Sequence, residues 1–165
     1  MSSVIIAVTR YLVITFGIAL AYFFYFTWSD ARPALEIILL SCVAFNGLIS
    51  FIAHVIFHKA DAKRLGLETA NPGFQFEVGF ANLAIGLAAA AAFFCGWGVA
   101  ANLALVAYYS LYILQAILFH LWRYVKGEKR SAGYLWGSII FSFLYVGNMF
   151  FFVFAALRQE QLPPF

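Results

Sequence analysis

Five long apolar runs, separated by short polar breaks, constrain this chain more than any other feature of its sequence. They fall at about 3–28, 33–58, 74–95, 99–124 and 133–157. A run of roughly 20 apolar residues crosses about 30 Å of hydrocarbon as a helix. No water is available there to satisfy backbone N–H and C=O groups, so only helices and closed barrels can span it. The alternation of apolar and polar residues that a membrane barrel needs is absent. Hydrophobic residues make up 65% of the 165 positions and charged residues 10%. A soluble globular domain carries roughly 45–50% and about 25%, which excludes that class. Cys42 and Cys95 are too few for a disulfide scaffold. The net charge of +3 is spread along the chain without a basic face, which argues against nucleic acid as a partner. The expectation is an all-α integral membrane bundle of five transmembrane helices, one domain over 1–165, with the lipid bilayer as its first partner.

The breaks define the topology. Asp30-Ala31-Arg32-Pro33 leads into the second run, and Pro33 suits a first helical turn. Lys59 to Gly73 is the longest polar segment, with a turn signal at Asn71-Pro72-Gly73. Gly96-Trp97-Gly98 is so short that the third and fourth runs must form an antiparallel hairpin. The first run is not a signal peptide, because no basic segment precedes it and apolar residues continue to Trp28. Lys59, Lys63, Arg64, Arg123, Lys126, Lys129 and Arg130 fall on one side of the predicted spans, against Arg32 and Arg158 on the other. Basic loops stay in the cytoplasm. The amino terminus is therefore expected in the cytoplasm and the carboxyl terminus outside.

An ionisable side chain at a helix centre in a bilayer costs at least about 2.5–3.5 kcal/mol, so each one needs a reason. At a helical rise of 1.5 Å per residue, Arg10, His54, Glu77 and His120 lie roughly 3–10 Å inside the cytoplasmic boundary. His58 and Arg123 sit at the rim of this layer. Asn46, Gly47, Ser50, His54 and His58 share one helical stripe in the second run, and Tyr109, Tyr112, Ala116, His120 and Arg123 share one in the fourth. The third run has two faces of small residues. One holds Glu77, Ala81, Ala84, Ala88 and Ala91, and the other Gly79, Asn82, Gly86 and Ala90. Small faces allow close helix approach, so the third run is expected at the centre, with Glu77 facing protein and paired with Arg10.

The run Pro72-Gly73-Phe74-Gln75-Phe76-Glu77-Val78-Gly79-Phe80-Ala81-Asn82-Leu83 resembles the signature of an uncharacterised family of small bacterial integral membrane proteins. That signature is a Phe-Gln-Phe-Glu-Val-Gly-x-Ala-Asn-Leu motif, with a histidine ending the helix before it and another ending the next helix but one toward the cytoplasm. His54, Glu77, Asn82 and His120 occupy the matching positions; Gly66-Leu67 in place of Gly-Trp and the inserted Gly73 depart from it. The resemblance covers about 46–123. It implies a multi-pass protein of the bacterial inner membrane and carries no assigned activity.

Three readings follow. The favoured one is a divalent metal ion, zinc or iron, held by His54, His58, Glu77 and His120, with Arg10, Asn82 and Arg123 in support. His54 and His58 are an i, i+4 pair, and helical bundles build metal sites from inward-projecting ligands. Haem held between His54 and His120 is a variant. The second reading is a proton or small-solute transport component, since a carboxylate and histidines can relay protons. The third is an accessory subunit of a larger membrane complex or a homo-oligomer. No second catalytic group can be assigned, so enzymatic activity stays open. The orientation has a direct test: a reporter fused after Phe165 is expected to read as external and one inserted near Lys63 as cytoplasmic. Both on the same side would remove one of the five spans.

Overall fold

The computed structural model describes residues 3–68 and 70–161, and among these the regular structure is entirely helical. Five helices are long and apolar enough to cross a membrane. We number them with the short polar helix between the second and third: α1 (Ser3–Trp28), α2 (Ala31–Ile56), α3 (His58–Leu65), α4 (Gly73–Phe94), α5 (Val99–Lys126) and α6 (Ala132–Glu160). The helix ends lie within a few residues of the predicted ones, and the shifts at both ends of α2 have local causes. Asp30 caps α2 by accepting from the Arg32 N–H at 2.9 Å, so the helix begins before Pro33. At its other end the chain leaves helical geometry at Phe57 (φ −108°, ψ 28°) and restarts as α3. Gly66, at φ 66°, closes α3 in the left-handed conformation that a side chain resists. The Leu67 N–H then bonds Ala62 O at 2.9 Å and the Gly66 N–H bonds Lys63 O at 3.2 Å.

Two helices contain wide π-type turns, α2 at Leu39–Phe45 and Ile52–Ile56, and α6 at Leu135–Ile140. Such turns are uncommon and concentrate at functional sites. In the first, the Asn46 N–H turns to Val43 O, and Cys42 O accepts from the Tyr145 hydroxyl of α6. The disturbed backbone is thereby held by a side chain from a neighbouring helix, as a buried carbonyl requires.

The centre of the bundle is α2, which corrects the expectation that the third span would occupy it. Leu35, Ile38, Leu39, Cys42 and Val43 are all fully buried. The two small-residue faces of α4 separate accordingly. Gly79, Asn82 and Gly86 are buried against α2, whereas Glu77, Ala81 and Ala84 lie on the exposed outer side. The inner face touches α2 almost backbone to backbone. A Cβ on Gly47 would stand 2.6 Å from Asn82 O and 2.9 Å from Gly86 Cα, and one on Gly86 would stand 3.1 Å from Ala44 O. At the end away from the basic loops, Arg32 Nε pairs with Glu160 at 2.8 Å and the Ala31 N–H bonds Gln159 at 2.7 Å, joining α2 to the end of α6. Cys42 and Cys95 are free thiols.

The packing sets an internal comparison. Gly86→Leu should destabilise the bundle by about 1–3 kcal/mol, the range for overpacking a tight contact. Ala84→Leu, on the outer face of the same helix, should leave the thermal unfolding midpoint in detergent nearly unchanged. Equal losses from the two variants would refute the α2–α4 contact.

Candidate functional site

A cavity of about 630 Å³ occupies the half of the bundle nearest the basic loops. The inward stripe of α2 supplies Asn46, Ser50 and His54 to its wall, and α4 supplies Asn82. Tyr112, Ala116 and His120 of α5, and Ser138, Ser142 and Tyr145 of α6, close the other sides. Arg10 of α1 and Arg64 of α3 also face it. Among the described residues, the ionisable wall groups thus include two arginines and two histidines and no carboxylate. All three π-type turns contribute to this region: the first places Cys42 O against Tyr145, the second carries His54 and the third carries Gly137 and Ser138.

A hydrogen-bonded chain crosses the inner end of the cavity. Asn46 Nδ2 donates to the hydroxyls of Tyr109 and Tyr145, each at 3.1 Å. The Tyr109 hydroxyl donates to Asn82 Oδ1 at 3.1 Å, and Asn82 Nδ2 donates to Val78 O at 2.8 Å and to the Tyr112 hydroxyl at 3.0 Å. Asn82, expected as a supporting residue, therefore joins α4 to α5. Its connection to α2 runs through Tyr109 and Asn46.

His54 meets a residue outside the expected ligand set of His58, Glu77 and His120. Its Nδ1 lies 2.8 Å from Oδ2 of Asp61, a close ion-pair contact without the alignment of a linear hydrogen bond. Oδ1 of Asp61 accepts from Arg64 Nη2 at 2.7 Å and Nε at 3.2 Å. Asp61 is only 3% exposed, so its charge depends on these contacts. Burial pushes the Asp61 carboxyl up, but the close contact with His54 and the charge and hydrogen bonds of Arg64 together outweigh it and hold the group well below the usual carboxylate range. Its place in the first turn of α3 also suits a negative charge. The sequence reading missed Asp61 because it lies in a segment read as a loop. The available signal was spacing, since His54, His58 and Asp61 follow i, i+4, i+7.

The other expected residues divide. His120 lines the cavity, and its Nδ1 is 2.6 Å from the Tyr134 hydroxyl, a partner that sequence spacing did not suggest. Glu77 is exposed on the outer side of α4 and contributes nothing to the cavity wall, contrary to its expected inward position. The expected Arg10–Glu77 pair is absent. Arg10 Nη2 donates instead to Ser50 Oγ at 3.2 Å, while its Nε is buried with no hydrogen-bond partner. His58 also lies outside the wall, because the break at Phe57 re-aims the chain. Its Nδ1 lies 3.1 Å from Val55 O and its ring packs edge-on against Phe76. Arg123 is a buried tie, donating to Leu65 O at 2.9 Å, Gly66 O at 2.8 Å and Glu128 at 3.0 Å. Among the described residues, no three His, Cys, Asp or Glu side chains form a group that could hold a metal ion.

Fold and cavity define a class: an all-helical bundle of five membrane-length helices with a largely apolar cavity whose polar wall groups include two arginines and two histidines. Within that class, the chain belongs to the family described as Family of unknown function (DUF6790), matched over residues 5–162. No curated protein and no solved structure matches it.

The Asp61 contacts make stability depend on pH in a defined direction. Because the folded carboxyl is lowered, its contribution is fully present above the unfolded Asp value of about 3.9 and is lost as pH falls below it toward the folded value. Asp61→Asn should reduce stability at pH 7, by about 3 kcal/mol for a broken buried pair, and lower the unfolding midpoint accordingly. The gap to wild type should narrow below about pH 4. A gap that stays constant down to pH 3 would show that Asp61 carries no such charge pairing.

Proposed function

We propose that the chain spans a bacterial inner membrane with its basic end in the cytoplasm, and that it binds a small organic solute in the cavity, as a binding or transport component. The excess of Lys and Arg in the loops at that end supports the orientation. One observation carries the binding reading: a cavity of about 630 Å³ joins apolar walls (Ile14, Ile113, Ile117, Phe141) to converging polar groups (Ser50, Asn82, Tyr112, His120). Small-molecule sites have volumes of roughly 300–1,000 Å³ and this same mixture of apolar wall and few polar contacts.

A second reading is a divalent metal ion, zinc or iron, bound through Nε2 of His54 and His120. It is favoured by the Nδ1 atoms of both rings, which already face Asp61 and the Tyr134 hydroxyl. Metal-bound imidazoles are commonly oriented by such outer partners. Glu77 and His58 are not needed in this version, and solute or water would complete the coordination.

Protein purified in mild detergent tests both. An organic extract should contain a stoichiometric small molecule by mass spectrometry. A cavity ligand supplied at 100 times its Kd should raise the unfolding midpoint by roughly 5–10 °C. Ser142→Phe, which fills the cavity from α6, should abolish that stabilisation while leaving helical content intact. An empty extract, with no stabilisation by any of a fatty acid, a monoacylglycerol and an aromatic acid, would overturn the solute reading. Stoichiometric zinc or iron that is lost in His120→Ala would establish the metal reading, and a Soret band its haem variant.

A further inference from the structure

The charge on the cavity wall and the position of its mouth together narrow the chemistry of what it takes. A guanidinium inside an apolar bundle needs an anion or a full set of acceptors. Arg64 has Asp61, but Arg10 has only the neutral Ser50 hydroxyl, and no carboxylate lies within ion-pair distance of it among the described residues. Its Nε donor is buried and unused. The Asp61 carboxylate bonds two Arg64 nitrogens and meets His54, and it attracts Arg10 only from beyond ion-pair distance, so its single charge is outweighed by the two guanidinium charges. The cavity wall therefore holds an excess of positive charge, which is the complement of an acidic group.

The mouth indicates where such a molecule enters. Phe74, Gln115, Ala116 and Phe119 line the cavity and are also exposed. Phe74 is 74% exposed and Phe119 47%, so these side chains reach the outer surface of the bundle. They belong to α4 and α5, so the cavity opens sideways between these two helices. The basic groups at Arg10, His54 and Arg64 come from α1, α2 and α3, away from that opening. The wall between includes Ile113 and Ile117 of α5, which suit a hydrocarbon chain.

Resting on the solute-binding reading, we propose that the cavity takes a single-chain acidic amphiphile from the surrounding lipid. Its carboxylate or phosphate group sits against Arg10 and its hydrocarbon chain extends toward the gap between α4 and α5. The shared chemistry is an anionic headgroup on one acyl chain. A carboxylate and a phosphate are its two sources.

The full-length protein in neutral phosphatidylcholine nanodiscs tests this with three probes of identical chain: tritiated oleate, oleoyl lysophosphatidate and monooleoylglycerol. At least one acidic probe should bind roughly 10- to 100-fold more tightly than the neutral one, the range a charge-assisted hydrogen bond carries. Which acid binds better separates carboxylate from phosphate. Arg10→Gln should remove this preference and Arg10→Lys should keep part of it. Lys63→Gln, an exposed basic residue at the same end, should leave it unchanged. Equal binding of all three probes by wild type would overturn the acidic-head assignment while preserving the solute reading. Absence of binding by all three, together with an empty organic extract, would overturn both. The wild-type comparison needs no variant, so it decides the matter even if Arg10→Gln fails to fold. A preference that survives in folded Arg10→Gln would also overturn the assignment.

Discussion

The contact on which the rest of the bundle depends is the approach of α2 to α4 at Gly47 and Gly86. Neither position has room for even a methyl group without displacing backbone. In hydrocarbon, packing rather than the hydrophobic effect draws helices together, so a contact of this closeness fixes both axes. It places Asn82 where Tyr109 and Tyr112 can reach it, and Asn46 where Tyr109 and Tyr145 can. The same contact sets the inner limit of the cavity, since the helices that meet there leave space only toward the basic end.

The π-type turns let α2 serve two demands that a regular helix could not meet. Its first half must bury a broad apolar face, as Ala34, Leu35, Ile38, Leu39, Cys42 and Val43 show, while Glu36 stays exposed. Its second half must aim Ser50 and His54 into a cavity. Each wide turn shifts the phase of the helix by inserting extra backbone. The stripe read from the sequence survives at Asn46, Ser50 and His54 but ends there, and His58 falls outside it.

Most of the architecture was legible in the sequence because hydrocarbon imposes so few solutions. Five apolar runs gave five helices, and of the stripe read from Tyr109 to Arg123, Tyr112, Ala116 and His120 line the cavity while Tyr109 and Arg123 are buried beside it. The errors share a cause. Small residues mark a close-packed face, but α4 has two such faces, and composition could not decide between Gly79-Asn82-Gly86 and Glu77-Ala81-Ala84. The choice of the wrong face carried Glu77 inward and supplied Arg10 with a partner it does not have. Asp61 was missed for the opposite reason. A carboxylate in a polar segment has no reason to be singled out until the break at Phe57 brings it back to His54.

The sequence separations of the bonds around the cavity imply an order of completion as the chain is synthesised. Asp61 meets Arg64 three positions on, so this pair can close as soon as α3 has formed. The carbonyl of Leu65 must wait for Arg123, 58 positions later, and until then this corner has only its own helix cap. Asn46 meets Tyr145 across 99 positions. A chain halted after α5 would already hold contacts for Arg10, Arg64 and His54, but His120 would lack Tyr134 and one side of the chamber would be missing. Helix α6 is thus the one that turns a groove into a chamber with a side mouth.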